Sequence, residues 1–301
     1  MHRTASLLSA TAIAISLGLA APAAHAGKAP QVKLLSSGKG AKQKLRFTLK
    51  PGSVEKMVMR TDMAMAMKLA GKPMPKTKMP TMVMEMTLSI GDRTGGDEAR
   101  FGYTFDDART ESRPGVQPAV AQAMDKALGS AKGTTGGGII SDRGITRENT
   151  INLPAGLPPQ MRQAMQSAEH SIEQLASPLP RQAVGVGARW QTKQVIEENG
   201  MHIEQLVTYK LLALNGKQGK LAISVVQKGR PQDIKLPGMP AKAHLDKYAA
   251  TGTGTMRFDL DRLVPTSSVS LSSAYAMTMK MGGKTQTIAT KLEMTMAIAP
   301  K

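Results

Sequence analysis

The sequence predicts a mainly β protein with a minor α part: a large curved antiparallel sheet, or partly open β-barrel, with two helices from the middle of the chain. Three observations carry this. Methionine recurs at every second position in the runs Met57/Met59, Met63/Met65/Met67, Met82/Met84/Met86, Met277/Met279/Met281 and Met294/Met296. A period of two places each run on one side of a strand. Two dipeptides suited to two-residue turns, Asn199-Gly200 and Gly282-Gly283, each fold an apolar alternation back on itself. Only the stretches 117–130 and 158–176 space their apolar residues by three and four, as helices do.

In chain order, His2 and Arg3 give a short polar start, Leu7 to Leu19 an apolar core, and Ala24-His25-Ala26 a cleavage site. This reads as an export signal over 1–26, with Gly27 as the mature N-terminus and a periplasmic or secreted location. No later stretch approaches the roughly 18 uncharged apolar residues that a spanning helix needs, so no transmembrane segment is expected. Residues 27–44, rich in Lys, Gly and Ser, read as a basic flexible leader. Residues 45–301 form a single large β domain or, alternatively, two pseudo-repeated halves, 45–152 and 181–301, with helix 158–176 between them.

Within that domain Leu45/Phe47/Leu49 alternate, Pro51-Gly52 turns the chain, and Met57 to Leu69 makes a long strand with Arg60, Asp62 and Lys68 on its other face. Lys72 to Pro80 contains three prolines and reads as a loop. Closed symmetrically, it sets Met67 opposite Met82, Met65 opposite Met84 and Met63 opposite Met86. Met82 to Ile90 continues as a second strand, Gly95-Gly96 turns, and Phe101/Tyr103/Phe105 mark a third. Val120, Met124 and Leu128 define the first helix; Met161/Met165 and Ala168/Ile172 define the second, with Pro158 and Pro159 in its first turn and Pro178 and Pro180 beyond its end.

Between the helices, Gly133 to Asn152 forms a hairpin turned at Asp142-Arg143-Gly144. Gly136-Gly137-Gly138 reads as a turn or flexible connection. Folding at Asn199-Gly200 pairs Ile196 with Ile203, Trp190 with Tyr209, and Glu197 with His202 as a surface ion pair. Folding at Gly282-Gly283 sets the face of Met277, Met279 and Met281 beside that of Ile288, Leu292, Met294 and Met296. Gly185-Val186-Gly187 and Gly252-Thr253-Gly254 lack the following helix that a phosphate site needs, and read as strand bends or bulges.

The chain carries 40 basic and 22 acidic residues, a net charge of +18. Loss of Arg3 with the signal leaves about +17. An exported protein of that charge is drawn to an anionic envelope surface. Lysines also keep sheet edges unpaired, which explains part of the excess. Aromatics are 3% of the residues and do not interleave with the lysines, which speaks against nucleic acid.

There is no cysteine, hence no disulfide, thiolate ligand or acylated anchor. The mature histidines His170, His202 and His244 lack metal-ligand spacing, no G-x-S-x-G occurs, and the carboxylate pairs Asp106/Asp107, Glu197/Glu198 and Asp259/Asp261 have no proton-transfer partner. A non-enzymatic protein without a cofactor is expected.

The methionines support three readings. They fill an irregular core; they line a face that re-packs around a hydrophobic small molecule or lipid; or, through Met63, Met65, Met67, Met82, Met84 and Met86, they offer soft thioether ligands to Cu(I) or Ag(I). The ligand-binding set is Met57, Met59, Met63, Met65, Met67, Met82, Met84, Met86, Met277, Met279, Met281, Met294 and Met296.

Leu179-Pro180 followed by Val184-Gly185-Val186-Gly187-Ala188-Arg189-Trp190, together with the export signal and long strands, resembles a group of uncharacterised exported bacterial β-rich proteins. Their architecture is similar to the curved half-barrels of lipoprotein carriers. The resemblance implies an apolar concave face that holds an acyl chain or acyl-bearing partner, and no catalytic residues. A purely structural or interaction role in the envelope is the remaining alternative.

Overall fold

The computed structural model describes residues 30–153, 177–198, 201–235, 242–281 and 284–301. The N-terminal part contains β1 (Gln31–Ser36), β2 (Lys39–Gln43), β3 (Val54–Leu69), β4 (Lys72–Pro73), β5 (Thr77–Lys78), β6 (Thr81–Gly95), β7 (Glu98–Glu111), α1 (Pro118–Gly129), β8 (Thr135–Ser141) and β9 (Thr146–Asn152). Then follow β10 (Val184–Val186), β11 (Arg189–Glu198), β12 (Met201–Asn215), β13 (Gln218–Gly229), β14 (Gln232–Lys235), β15 (Lys242–Asp259), β16 (Thr266–Met281) and β17 (Lys284–Pro300). The export signal, the second helix, and the turn residues Asn199-Gly200 and Gly282-Gly283 lie outside the described residues.

One antiparallel sheet runs in the order β1-β11-β12-β13-β15-β16-β17-β3-β6-β7-β8-β9, with β14 beside β15, β4 and β5 beside β3, and β2 paired separately with β10. β1 and β9 end this path without pairing to each other, so the sheet is not closed into a barrel. The seam between the two halves of the chain is β17 against β3, with Pro300 opposite Met57 and Ile288 opposite Leu69.

Registers fixed by short turns follow the sequence pattern. In β11 and β12, Ile196 opposes Ile203 and Trp190 opposes Tyr209. In β16 and β17, Met277 opposes Ile288 and Leu271 opposes Met294. The β8–β9 hairpin closes over 142–144, where Gly144 takes a positive φ of 70°. Helix α1 begins with Pro118, half-buries its Val120, Met124 and Leu128 stripe, and hangs on β7 through the Thr110 N–H, which donates to Asp125 Oδ1 at 2.6 Å.

The proline-rich stretch 72–80 is not a free loop. The chain turns at Ala70-Gly71, whose φ values of 48° and 79° are the two positive angles that a type I′ hairpin demands. It then runs straight back along β3, pairing Leu69 with Lys72 and Met65 with Thr77 before β6 begins. Two one-residue register steps bring Thr61 opposite Met82, Met59 opposite Met84 and Met57 opposite Met86. The symmetric register expected from the sequence, Met67 with Met82, is therefore not formed. The prolines are tolerated because β7 ends at Glu111, opposite Thr81, and leaves the outer side of 72–80 without a ladder neighbour.

The described part of the basic leader, from residue 30 on, forms strands. Val32 and Leu34 pack against the core from β1, and β2 docks on β10. Gly38, at φ 78°, and Gly185 make that joint possible, since a Cβ on Gly185 would stand 2.3 Å from the Lys39 carbonyl oxygen. Leu45, Phe47 and Leu49 are buried but lie outside the ladder; the backbone N–H groups of Phe47 and Thr48 donate to the carbonyls of Asp142 and Leu260. Gly136–Gly138 belong to β8 and make room for Tyr103, and Gly252 and Gly254 sit in uninterrupted pairing with Leu271 and Val269. The nearest bulge of β15 falls instead between Leu245 and Lys247.

Two apolar clusters result. The larger joins Leu45, Met57, Met86, Phe105, Trp190, Leu211 and Leu221; the smaller joins Leu245, Tyr275, Met277, Met279 and Ile288. Burial of such side chains contributes roughly 1.5–3 kcal/mol each relative to exposure.

Candidate functional site

The methionines do share one side of the sheet. Cross-strand rows on that side read Val225, Gly252, Leu271, Met294, Met63 and, two residues along, Gln227, Ala250, Ser273, Leu292, Met65. The next row is Gly229, Tyr248, Tyr275, Thr290, Met67. Strand alternation keeps all of these side chains on the face that holds Trp190 and Tyr209.

Their environments differ. Met57 and Met86 are 1% exposed inside the larger cluster, with Met59 and Met82 nearly as deep and Met84 half-buried beside them. Met277 and Met279 are buried in the smaller cluster, and Met281 closes β16 opposite Lys284. Between the clusters, Met63 is buried, whereas Met65, Met67, Leu271, Leu292, Met294 and Met296 are only half-buried on adjacent strands β16, β17 and β3. The six residues of the soft-metal set are not brought together, because Met63, Met65 and Met67 lie beyond the start of β6 and face β17 instead. Between β3 and β6 the register unites Met57 with Met86 and Met59 with Met84, while Met63 stands opposite Met294 of β17.

A polar belt crosses the apolar face beside this strip. Gln205, Gln227, Ser273 and Thr290 are all buried. Gln227 Nε2 donates to Gln205 Oε1 at 2.6 Å, and the Tyr248 hydroxyl donates to Gln227 Oε1 at 2.7 Å. The Tyr248 and Tyr275 rings stack at 6.5 Å. The Tyr275 hydroxyl and Thr290 Oγ1, on side chains 7% and 3% exposed, adjoin across β16 and β17 but reach no hydrogen bond of good geometry among the described residues. Burial pushes the Tyr275 phenol above its ordinary pKa, with the neighbouring Thr290 hydroxyl partly offsetting the rise. Buried polar groups without partners are rare, and each marks a place where something outside the chain can supply one.

The sequence reading missed Tyr275, Thr290, Gln205, Gln227 and Ser273. A signal existed for four of them: Gln205, Gln227, Ser273 and Thr290 each interrupt or end a run of alternating apolar residues, as Gln205 does between Ile203 and Val207 and Thr290 does between Ile288 and Leu292.

The opposite face is polar. An open groove of about 530 Å³ lies there, floored by five strands and walled by the row Ser224, Thr253, Ser270, Thr295, Asp62 and the row beside it. Arg113 reaches Asp62 Oδ1 at its rim, at 2.9 Å. Among the described residues, no helix is long and apolar enough to cross a membrane, and no three His, Asp or Glu side chains converge as metal ligands.

No family model and no curated protein matches the chain. Solved structures overlap it only weakly, among them two outer-membrane proteins. One is OmpT (in-vitro folded), an outer membrane protein of Vibrio cholerae in trimer form, at 8% identity and a TM-score of 0.19 over 83% of this chain and 100% of the other. The second is Pseudomonas aeruginosa OccK2 (OpdF), at 8% identity and a TM-score of 0.20 over 81% of this chain and 98% of the other.

Proposed function

We propose that this chain is an exported, non-enzymatic protein that binds an amphiphile with a single acyl chain on its methionine face. The observation that carries the reading is the buried pair Tyr275 and Thr290 at the border of the half-buried strip, whose hydroxyls reach no well-formed hydrogen bond among the described residues. The acyl chain lies along Met65, Met67, Leu292, Met294 and Met296, where unbranched thioether side chains adjust to it. The polar end takes hydrogen bonds from the two hydroxyls, which restores partners that burial denies them. An acyl chain on an apolar sheet face is also what the resemblance to lipoprotein-carrier half-barrels implies.

Titrating lipid-stripped protein with a long-chain fatty acid, followed by native mass spectrometry and calorimetry, tests the reading. One bound molecule is expected. Tyr275→Phe with Thr290→Val weakens binding by about tenfold, the worth of one or two net hydrogen bonds, whereas Met65→Leu with Met294→Leu keeps it within about twofold because apolar volume is conserved. No uptake, or uptake indifferent to the loss of both hydroxyls, defeats the proposal.

A further inference from the structure

Three of the exposed large apolar side chains gather at one end of the sheet: Leu35 at 44% exposure, Val186 at 45% and Leu212 at 38%. Leu35 is the residue left out of register between Leu34 and Ser36 in β1, and Leu212 the one left out between Leu211 and Ala213 in β12. A bulge frees one residue from the ladder and re-aims its side chain. Val186 precedes Gly187, whose N–H donates to the Leu211 carbonyl at 2.8 Å. Ser36 opposes Arg189 and Arg189 opposes Lys210, so each of the three apolar residues lies within a few residues of one cross-strand pair.

That pair is cation against cation. Lys220 opposite Arg257 repeats the arrangement two strands on, on the same face, and Lys39 stands opposite Val186. Like charges directly opposed destabilise a sheet. None of these five side chains has an acidic partner among the described residues, whereas Arg46, Arg60, Arg109 and Arg113 are paired with Asp142, Glu111, Glu85 and Asp62. An external anion relieves a repulsion that the chain itself leaves standing.

Charge complementarity alone fits any polyanion; the leucines select among them. Apolar side chains bordered by unpaired cations match a lipid–water boundary, where leucine enters the headgroup layer and Lys and Arg stay at the phosphates. A soluble polyanion gains nothing from Leu35 or Leu212. We propose that this end of the sheet docks the protein on a membrane surface carrying anionic lipid. It uses none of the residues of the methionine strip and is tested separately from it.

The test is flotation of the purified protein with vesicles of phosphatidylglycerol and phosphatidylcholine, against phosphatidylcholine alone and against soluble polyphosphate. Binding to the anionic vesicles is expected, falling on the order of fivefold per charge in Arg189→Gln and Lys210→Gln and by at least as much in the pair Leu35→Ser with Leu212→Ser. A control pair at exposed apolar residues elsewhere, Val54→Ser with Met74→Ser, leaves it unchanged. Trp190 emission reports whether each variant is folded; Leu35→Ser alone serves if the double variant is not. Absence of flotation with anionic vesicles overturns the proposal. So does flotation indifferent to the leucines with equal capture of polyphosphate, or an equal loss in the control pair.

Discussion

The indole of Trp190 stacks on the ring of Tyr209 with centroids 5.7 Å apart and planes 18° from parallel, while its Nε1–H donates to the Pro178 carbonyl at 2.9 Å. One side chain thus ties β11, β12 and the segment before β10 into a single joint. Tyr209→Ala removes the stacking partner and leaves a cavity, so it lowers stability by about 3–5 kcal/mol. Urea unfolding followed by the emission of Trp190, the sole tryptophan of the chain, measures the loss.

The Ala70-Gly71 turn holds an alanine at φ 48°. Ala70→Gly relieves that strain and raises stability by about 0.5–1 kcal/mol, and Gly71→Val lowers it by at least about 1 kcal/mol. The denaturation midpoints of the two variants are expected on opposite sides of the wild type.

This turn also shows why legibility was uneven. Alternation and two-residue turns specify register strongly, because a one-residue slip carries every apolar side chain to the wrong face; Trp190 with Tyr209 and Met277 with Ile288 were readable for that reason. Ala70-Gly71 carries a weak turn signal, and the prolines after it argue for a loop unless the outer side of 72–80 is known to be unpaired. Val32 and Leu34 are too short a run to announce β1 without sight of β11. The polar belt was hidden because Gln205, Gln227, Ser273 and Thr290 become neighbours only through long-range pairing.

Depth separates the methionines. Met57→Lys places an ammonium in the sealed cluster and costs about 3–5 kcal/mol. Met65→Lys, at the half-buried strip, costs about 1 kcal/mol because its stem covers apolar surface while the charge reaches water. Equal losses in the two variants, measured by urea unfolding, would falsify this division of the face.

Thr290→Val replaces an unpartnered buried hydroxyl by a methyl of similar shape. In lipid-stripped protein it raises stability by about 1 kcal/mol or leaves it unchanged. A large loss in thermal unfolding would mean that the hydroxyl already has a partner.

Two carboxylates make opposite demands on pH. Hydrogen bonds from Lys301 and Arg109 hold Glu85 below its ordinary pKa, so the stability it contributes is present above the usual carboxylate range and fades as pH falls through it. Burial pushes Asp142 up despite Arg46 beside it, so its contribution is favourable only when protonated and is lost as pH rises through its folded pKa. Asp142→Asn therefore melts higher than wild type at pH 7, with the gain vanishing on acidification; Glu85→Gln melts slightly lower at pH 7, and its deficit vanishes in the same direction.

The seam of the sheet has a bearing on synthesis. β3 is the first long strand to emerge, yet one of its two edges belongs to β17, the last strand of the chain. Until β17 is made, that edge stays bare, with Met59 and Met63 awaiting Ile298 and Met294. Pairing across such a separation is slow to form, and an open methionine-rich edge is prone to join other chains in the meantime. A copy lacking β17 keeps two raw edges at the centre of its sheet, on β16 and β3, and is expected to aggregate.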